Sequence, residues 1–270
     1  MTVRLGAVGY LNARPLVYGL GRDRRFAVRY DVPSECARLL HEGSIDVGLI
    51  PSIEYFRGGP YRIVPNLAIA SRGPVASVTI YSTRPIEDVG SIALDTSSRT
   101  SVALVRVLCA RLWRIRPTFE SRGPDLGDML AHADAALIIG DNALFSAEPA
   151  LVSSQPSALS PITKLDLGAA WFDLTGLPFV YAFWAGRPGA LTADHVAALQ
   201  HARDEGVKRP GELAREYLAG SPERQALGAD YLRENIKYYL RDDERAGLEA
   251  FYRYASEAGV IGAPGSIDLY

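Results

Sequence analysis

Residues 3–50, VRLGAVGYLNARPLVYGLGRDRRFAVRYDVPSECARLLHEGSIDVGLI, decide the fold class. Short apolar runs at 3–8, 27–30 and 46–50 alternate with two stretches of helical period, at 12–20 and 34–42. That order reads as βαβαβ. The helix at 34–42 opens after Pro33 with Ser34 as its candidate N-cap, turns Cys36, Ala37, Leu39 and Leu40 toward a sheet, and stops at Gly43. Its polar residues Glu35, Arg38 and Glu42 then face water. Farther along, 62–70 and 75–82 read as two extended segments about the turn-rich Ser71-Arg72-Gly73-Pro74. A second unit begins at Ser91, with strand 92–94, helix 100–113, strand 118–120, short helix 126–131 and strand 135–139. The last of these is apolar on both faces, as a buried parallel strand requires. Residues 151–161, rich in Ser and Pro, read as a surface loop. The apolar segment 179–184 follows, and 194–207, 211–218, 222–235 and 243–258 are helical by period. The fold class is therefore α/β: one unit, a crossing, a second unit, and a helical C-terminal quarter.

Composition narrows the function. The 270 residues are 48% hydrophobic and 22% charged, which suits a globular chain of one large domain or two smaller ones. With 29 Lys plus Arg against 31 Asp plus Glu the net charge is -2, so nucleic acid is not the expected partner. Cys36 and Cys109 lack CxxC spacing and fit neither a disulfide framework nor a zinc site, so a reducing cytoplasm is the expected setting. The chain runs straight into a strand without the regions of a signal peptide, and no apolar run reaches the about 18 residues of a membrane span.

Ligands of open α/β sheets bind beyond the carboxyl ends of strands, where helix N-termini offer free N–H groups. After the first strand comes Gly9-Tyr10-Leu11-Asn12-Ala13-Arg14-Pro15-Leu16, in which Asn12 is a natural N-cap and a candidate ligand contact. After strand 92–94 comes Asp95-Thr96-Ser97-Ser98-Arg99-Thr100-Ser101, far more polar than the single hydroxyl a cap needs. Such a cluster at a positive helix end suits a carboxylate or phosphate; the plainer reading is a solvated Ser-rich turn. After 135–139 comes Gly140-Asp141-Asn142, with Asp141 the expected cap at the edge of the cleft. Ser77 lies in the segment that crosses between the units, and Thr175-Gly176-Leu177-Pro178 forms a turn before the return strand.

Absences matter as much. His41, His132, His195 and His201 fall in helices or at a helix end and none at a strand-to-helix junction, which argues against a histidine base. HExxH, GxSxG, GxxxxGK[ST] and GxGxxG do not occur, and the only lysines are Lys164, Lys208 and Lys237, so no metal, dinucleotide or pyridoxal cofactor is expected. The residues by themselves describe a two-lobed α/β protein that captures a small anionic ligand between its lobes.

Six of these segments carry a resemblance. Residues 9–16 (GYLNARPL), 46–51 (DVGLIP), 73–78 (GPVASV), 95–101 (DTSSRTS), 139–144 (IGDNAL) and 166–179, from Asp166-Leu167-Gly168 through Trp171 to Thr175-Gly176-Leu177-Pro178-Phe179, resemble the chorismate dehydratase (MqnA) family of the futalosine route to menaquinone. The resemblance implies a type II periplasmic-binding-protein-like fold with a ligand cleft between two lobes. Lobe I would comprise 1–82 and 180–270, lobe II 83–179, with 75–82 and 179–184 as the hinge. It also implies loss of water from chorismate to give 3-[(1-carboxyvinyl)oxy]benzoate, with no cofactor and with the substrate's own enolpyruvyl carboxylate as base. Asn12 and Ser77 match the family's catalytic positions. Thr96, Ser97, Ser98, Arg99, Thr100 and Ser101 are expected to hold a substrate carboxylate, with Asp141 and Thr175 as further candidate contacts. Two alternatives stay open: a non-catalytic module binding a small anion, and the related 1,4-dihydroxy-6-naphthoate synthase, which would need a histidine in the cleft.

Overall fold

Strand β1 (Val3–Val8) pairs in parallel with β2 (Phe26–Asp31) and β3 (Val47–Pro51), and of its residues only Arg4 is exposed. The computed structural model describes residues 2–146 and 162–270, and the loop read at 151–161 lies outside them. Between β1 and β2 the helical period is used by two 3₁₀ turns, Leu11–Val17 and Leu20–Arg22, rather than by one α-helix. Pro15 lacks the N–H an α-helix would use, and left-handed Gly19 (φ 75°) separates the turns. Asn12, expected as a cap, therefore sits inside the first turn, where Tyr10 is the flanking residue and no side chain caps. Helix α1 (Pro33–Glu42) ends as expected at left-handed Gly43, but it starts on Pro33, so Ser34 is not its cap either.

The extended segment 62–70 divides into β4 (Arg62–Ile63) and β5 (Ile69–Ser71), with left-handed Asn66 (φ 58°) between them. Of 75–82 only β6 (Val78–Ser82) joins a sheet. The second unit comprises β7 (Ser91–Asp95), α2 (Arg99–Leu108), β8 (Thr118–Arg122), α3 (Leu126–His132), β9 (Ala135–Ile139) and α4 (Gly140–Leu144). Then come β10 (Thr163–Asp166), α5 (Leu167–Thr175) and β11 (Phe179–Gly186). Helices α6 (Ala193–Gly206), α7 (Pro210–Tyr217), α8 (Gln225–Asp230) and α9 (Asp242–Glu257) complete the described chain. The period read as one helix over 222–235 is in fact three windings: a 3₁₀ turn at Pro222–Arg224, α8, and a π turn at Tyr231–Asn235.

The strands form two sheets, ordered β2-β1-β3-β11-β4, with β5 also on β11, and β10-β6-β9-β7-β8. β11 runs antiparallel to β3, β4 and β5, while β7 is parallel to β8 and β9. The chain crosses between sheets twice, from β5 to β6 and from α5 to β11. Asp166 holds both crossings. Its carboxylate caps α5 by accepting from the Ala169 N–H at 3.0 Å, and it also accepts from Val75 N–H at 3.0 Å and Ala76 N–H at 2.6 Å. Those bonds keep Ala76 left-handed (φ 63°), a conformation that costs an L residue with a Cβ.

Around the return crossing Trp171, Phe179 and Phe251 pack edge to face, with centroids 5.2 and 4.8 Å apart along the series, and join α5, β11 and α9. The Trp171 indole N–H donates to the Pro178 carbonyl at 3.2 Å, so this buried ring leaves no polar atom unpaired. No helix among the described residues is long and apolar enough to cross a membrane.

Replacing Asp166 with Ala removes the α5 cap and both anchors of the crossing. We expect a loss of about 2–3 kcal/mol in urea unfolding, from one cap and two charge-assisted hydrogen bonds; a change below about 0.5 kcal/mol, the scale of an ordinary surface substitution, would show that the crossing keeps its shape without the carboxylate.

Candidate active site

The ends of β1, β3 and β9 and the start of α2 converge on one cleft between the two sheets. Val8, Ile69, Val75 and Ile139 give it an apolar floor, and Tyr10, Asn12, Ser77, Ser98, Ser101 and Tyr181 supply its polar edge. Gly140 lets the lobes meet there: it is left-handed (φ 63°), and a Cβ on it would stand 2.9 Å from the Tyr10 ring.

Asn12 Oδ1 is buried and has no hydrogen-bond partner. An acceptor left so costs about 1–3 kcal/mol, which a donor on a ligand would recover. Ser77 is held at both ends. Its carbonyl accepts from the Gly140 N–H at 2.8 Å, and its Oγ accepts from the Tyr231 hydroxyl at 2.7 Å. Burial pushes the Tyr231 phenol well up, against smaller opposite effects of hydrogen bonds with Ser77 and Asn12. Tyr181 is also buried, and its hydroxyl lies 3.1 Å from Ser71 Oγ.

The polar run before α2 divides by helical geometry. Ser98, the N-cap, and Ser101 lie three residues apart on one face, line the cleft, and share a hydrogen bond at 3.0 Å. The residues between them turn away. Thr100 is fully buried, with Oγ1 accepting from the Ile53 N–H at 3.2 Å, and the Arg99 guanidinium pairs with Glu54 at 2.7 Å. Thr96 and Arg99 line a separate groove with Arg57 and Arg106. Ser97 Oγ accepts from the Tyr10 hydroxyl at 3.4 Å. Of the run Thr96 to Ser101, Ser98 and Ser101 line the cleft, whereas Arg99 and Thr100, at the helical positions between them, face the other way.

Asp141 and Thr175 are both bonded within the protein. Asp141 is not a cap: it lies in the first turn of α4, accepts from the Leu11 N–H at 3.2 Å and from the Tyr217 hydroxyl, and so ties the β9 end to the turn after β1. Burial raises its pKa, against the lowering effect of those donors. Thr175 Oγ1 donates to the Trp171 carbonyl at 2.8 Å and accepts from Leu177 N–H at 3.1 Å, which closes the turn at left-handed Gly176. Neither lines the cleft. Tyr10, Tyr181 and Tyr231 are not among the candidate residues read from the sequence; Tyr10 lies within the segment 9–16 that draws attention to Asn12, and only an aromatic ring marks the other two.

Opposite the cleft, Glu54 forms a buried junction between the lobes. Its carboxylate meets Arg57 at 2.9 Å, Arg99 at 2.7 Å and His41 at 3.1 Å. Burial pushes its pKa up, but the His41 hydrogen bond and the charges of Arg99 and Arg57 outweigh that and hold it below the usual 4.5. His41 is committed further by a 2.7 Å hydrogen bond to the Tyr61 hydroxyl, and no histidine lines the cleft. No group of three or more metal-ligating side chains occurs among the described residues.

Two α/β lobes, two crossings and a polar-edged cleft between them define a periplasmic-binding-protein-like protein. Solved structures agree on the fold: protein AF1704 of Archaeoglobus fulgidus superposes with a TM-score of 0.73 at 17% identity, covering 96% of this chain and 98% of that one. The periplasmic aliphatic sulphonate binding protein SsuA of Escherichia coli gives 0.59 at 15% identity, over 99% and 95%. Within this class the chain belongs to the menaquinone biosynthesis family, whose sequence model matches residues 3–257. A curated relative, chorismate dehydratase of Thermus thermophilus, is 34% identical over 259 residues, 92% of this chain and 93% of that one.

The Glu54 junction gives a pH test. A carboxylate with a depressed folded pKa contributes stability that is full above its unfolded value and is lost as pH falls through the folded one. Wild type should therefore lose more stability than Glu54→Gln between pH 6 and pH 3 in urea titrations. At pH 7 the variant should be less stable by about 1–3 kcal/mol, at the low end because both arginines are over a third exposed. Parallel pH curves for the two proteins would remove Glu54 from the account.

Proposed function

We propose that the cleft binds chorismate and eliminates water from it, giving 3-[(1-carboxyvinyl)oxy]benzoate. The observation that carries this reading is the 34% identity over 92% of the chain to a curated chorismate dehydratase. In the reaction ring C3 loses a proton, C4 loses its hydroxyl, and the diene becomes aromatic. Aromatisation supplies the driving force, so orientation of the substrate and stabilisation of the departing hydroxyl are what the protein must add.

The cleft residues suit both roles. Its apolar floor accepts the ring face. The cap hydroxyls of Ser98 and Ser101, at the positive end of α2, receive a carboxylate without a basic side chain in the cleft. Ser77 Oγ, with the Tyr231 hydroxyl already behind it, offers a donor to the departing hydroxyl, and Asn12 Oδ1 offers that hydroxyl an acceptor. The proton from C3 passes to the substrate's own enolpyruvyl carboxylate, in keeping with a cleft that holds no histidine. The same absence disfavours the naphthoate synthase alternative. From sequence the hinge is expected at 75–82 and 179–184; because β6 and β11 pair within the sheets, the two lobes would hinge instead at 71–78 and 175–179, where the chain crosses between them. A reducing, cytoplasmic setting suits Cys36 and Cys109, whose thiols are buried and pushed up to about 12.

Purified protein mixed with chorismate should yield the aromatic enol ether, followed by liquid chromatography; unconverted chorismate would refute the reading. Asn12→Ala and Ser77→Ala should each lower kcat about 100-fold or more, the scale of losing an oriented donor or acceptor, with much smaller changes in melting temperature. Ser98→Ala with Ser101→Ala should instead raise KM about tenfold while kcat holds, as for a binding contact made equally in ground and transition states.

A further inference from the structure

We propose that Tyr231 is a positioning residue for this reaction, fixing the direction in which the Ser77 hydroxyl points. The inference rests on the reading of the cleft as a chorismate dehydratase site. A serine hydroxyl rotates freely and can donate one hydrogen bond while accepting others. Left alone, Ser77 would spend its proton on whichever acceptor lay nearest. The Tyr231 hydroxyl, 2.7 Å from Ser77 Oγ, decides the matter because it donates to that oxygen. With its acceptor side taken by the phenol, Ser77 has its own O–H left for the cleft. Asn12 Oδ1, which lines the same cleft, has no partner.

The hydrogen bonds therefore run one way, from the Tyr231 hydroxyl to the Ser77 hydroxyl and out into the cleft. The cleft thus presents an acceptor, Asn12 Oδ1, and a donor, the Ser77 O–H. A departing hydroxyl needs that combination, because negative charge grows on its oxygen while its hydrogen still seeks an acceptor. Tyr231 does not itself ionise in this arrangement. Burial holds its phenol protonated throughout the working range, and it acts as a fixed dipole.

Tyr231 is also mechanically tied to the strand it serves. It opens the π turn Tyr231–Asn235, whose Asn235 side chain donates to the Pro74 carbonyl at 3.1 Å. Two residues farther, Lys237 exchanges backbone hydrogen bonds of 2.8 and 2.9 Å with Ala70. The C-terminal segment is thus laced along the crossing on both sides of its turn, which fixes Tyr231 relative to Ser77.

The test is Tyr231→Phe, which keeps the ring and removes the hydroxyl, alone and with Ser77→Ala. On chorismate the single variant should lose about 10- to 100-fold in kcat, the scale of one oriented hydrogen bond, with KM within about twofold. Combined with Ser77→Ala it should cost almost nothing further, since there is no longer a hydroxyl to orient. Wild-type kcat in Tyr231→Phe, or an equal loss in both backgrounds, overturns the proposal. If Phe at 231 fails to fold, 3-fluorotyrosine there keeps shape and hydroxyl but strengthens the donor; a shifted kcat at constant KM supports the relay, and an unchanged kcat overturns it. A wild-type protein that leaves chorismate intact overturns the parent reading and this inference with it, whereas active wild type with an equally active Tyr231→Phe overturns this inference alone.

Discussion

The Asp166 carboxylate accepts N–H groups from Val75, Ala76 and Ala169, which belong to two different crossings between the sheets. Ala76 is left-handed because of it, and Ser77 follows directly after that bend. Once the bend is set, the Ser77 carbonyl meets the Gly140 N–H at the end of β9 and its hydroxyl meets Tyr231. The position of the cleft's central hydroxyl is thus set from outside the cleft, by a carboxylate that does not line it. A charged acceptor serves well here, since its bonds to N–H groups are about twice as strong as neutral ones and can hold a conformation that an L residue resists.

Much of the fold was legible because the two periods of the sequence are strong where they matter. β1, α1, β9 and β11 are apolar in patterns that admit one reading, and their order fixes an α/β chain that crosses between two units. The errors have local causes. Pro15 turns a helical period into 3₁₀ winding, Asn66 breaks what composition presents as one strand, and the π turn at Tyr231 is invisible to a rule based on 3.6 residues per turn. In the site, the strand-to-helix junctions drew attention to the right segments but not to the right faces. Ser98 and Ser101 point into the cleft while Arg99 and Thr100 bind the other lobe, a division that needs the helix phase and its neighbour. Tyr231 stands 154 residues from Ser77 in the chain, and no local pattern could pair them.

Electrostatically the two lobes are joined by two carboxylates, both withdrawn from water but with opposite surroundings. Asp141 is met by a backbone N–H and a phenol, so burial prevails and its pKa rises; Glu54 is met by two guanidinium groups and an imidazole, so their pull prevails and its pKa falls. Acidification therefore relieves one junction while it loosens the other. Arg57, Arg99 and Arg106 stand on the far side of α2, and among the described residues the near side offers an anion hydroxyls and a helix end. A near-neutral chain can hold an anion in this way because the helix dipole acts at contact distance.

The first turn of α2 has a double attachment, and this bears on how the protein can turn over. Ser98 and Ser101 look into the cleft, while Thr100 and Arg99 on the same turn are bound to Ile53 and Glu54 of the opposite lobe. The groups that would grip a ligand are therefore carried on the bolt that shuts the door. Opening of the lobes would break the Thr100–Ile53 and Arg99–Glu54 bonds and would carry Ser98 and Ser101 away from the β1 side of the cleft. In a catalyst so built, holding a ligand and exchanging it would draw on the same helical turn, and unlocking would join the chemistry as a step able to set the rate.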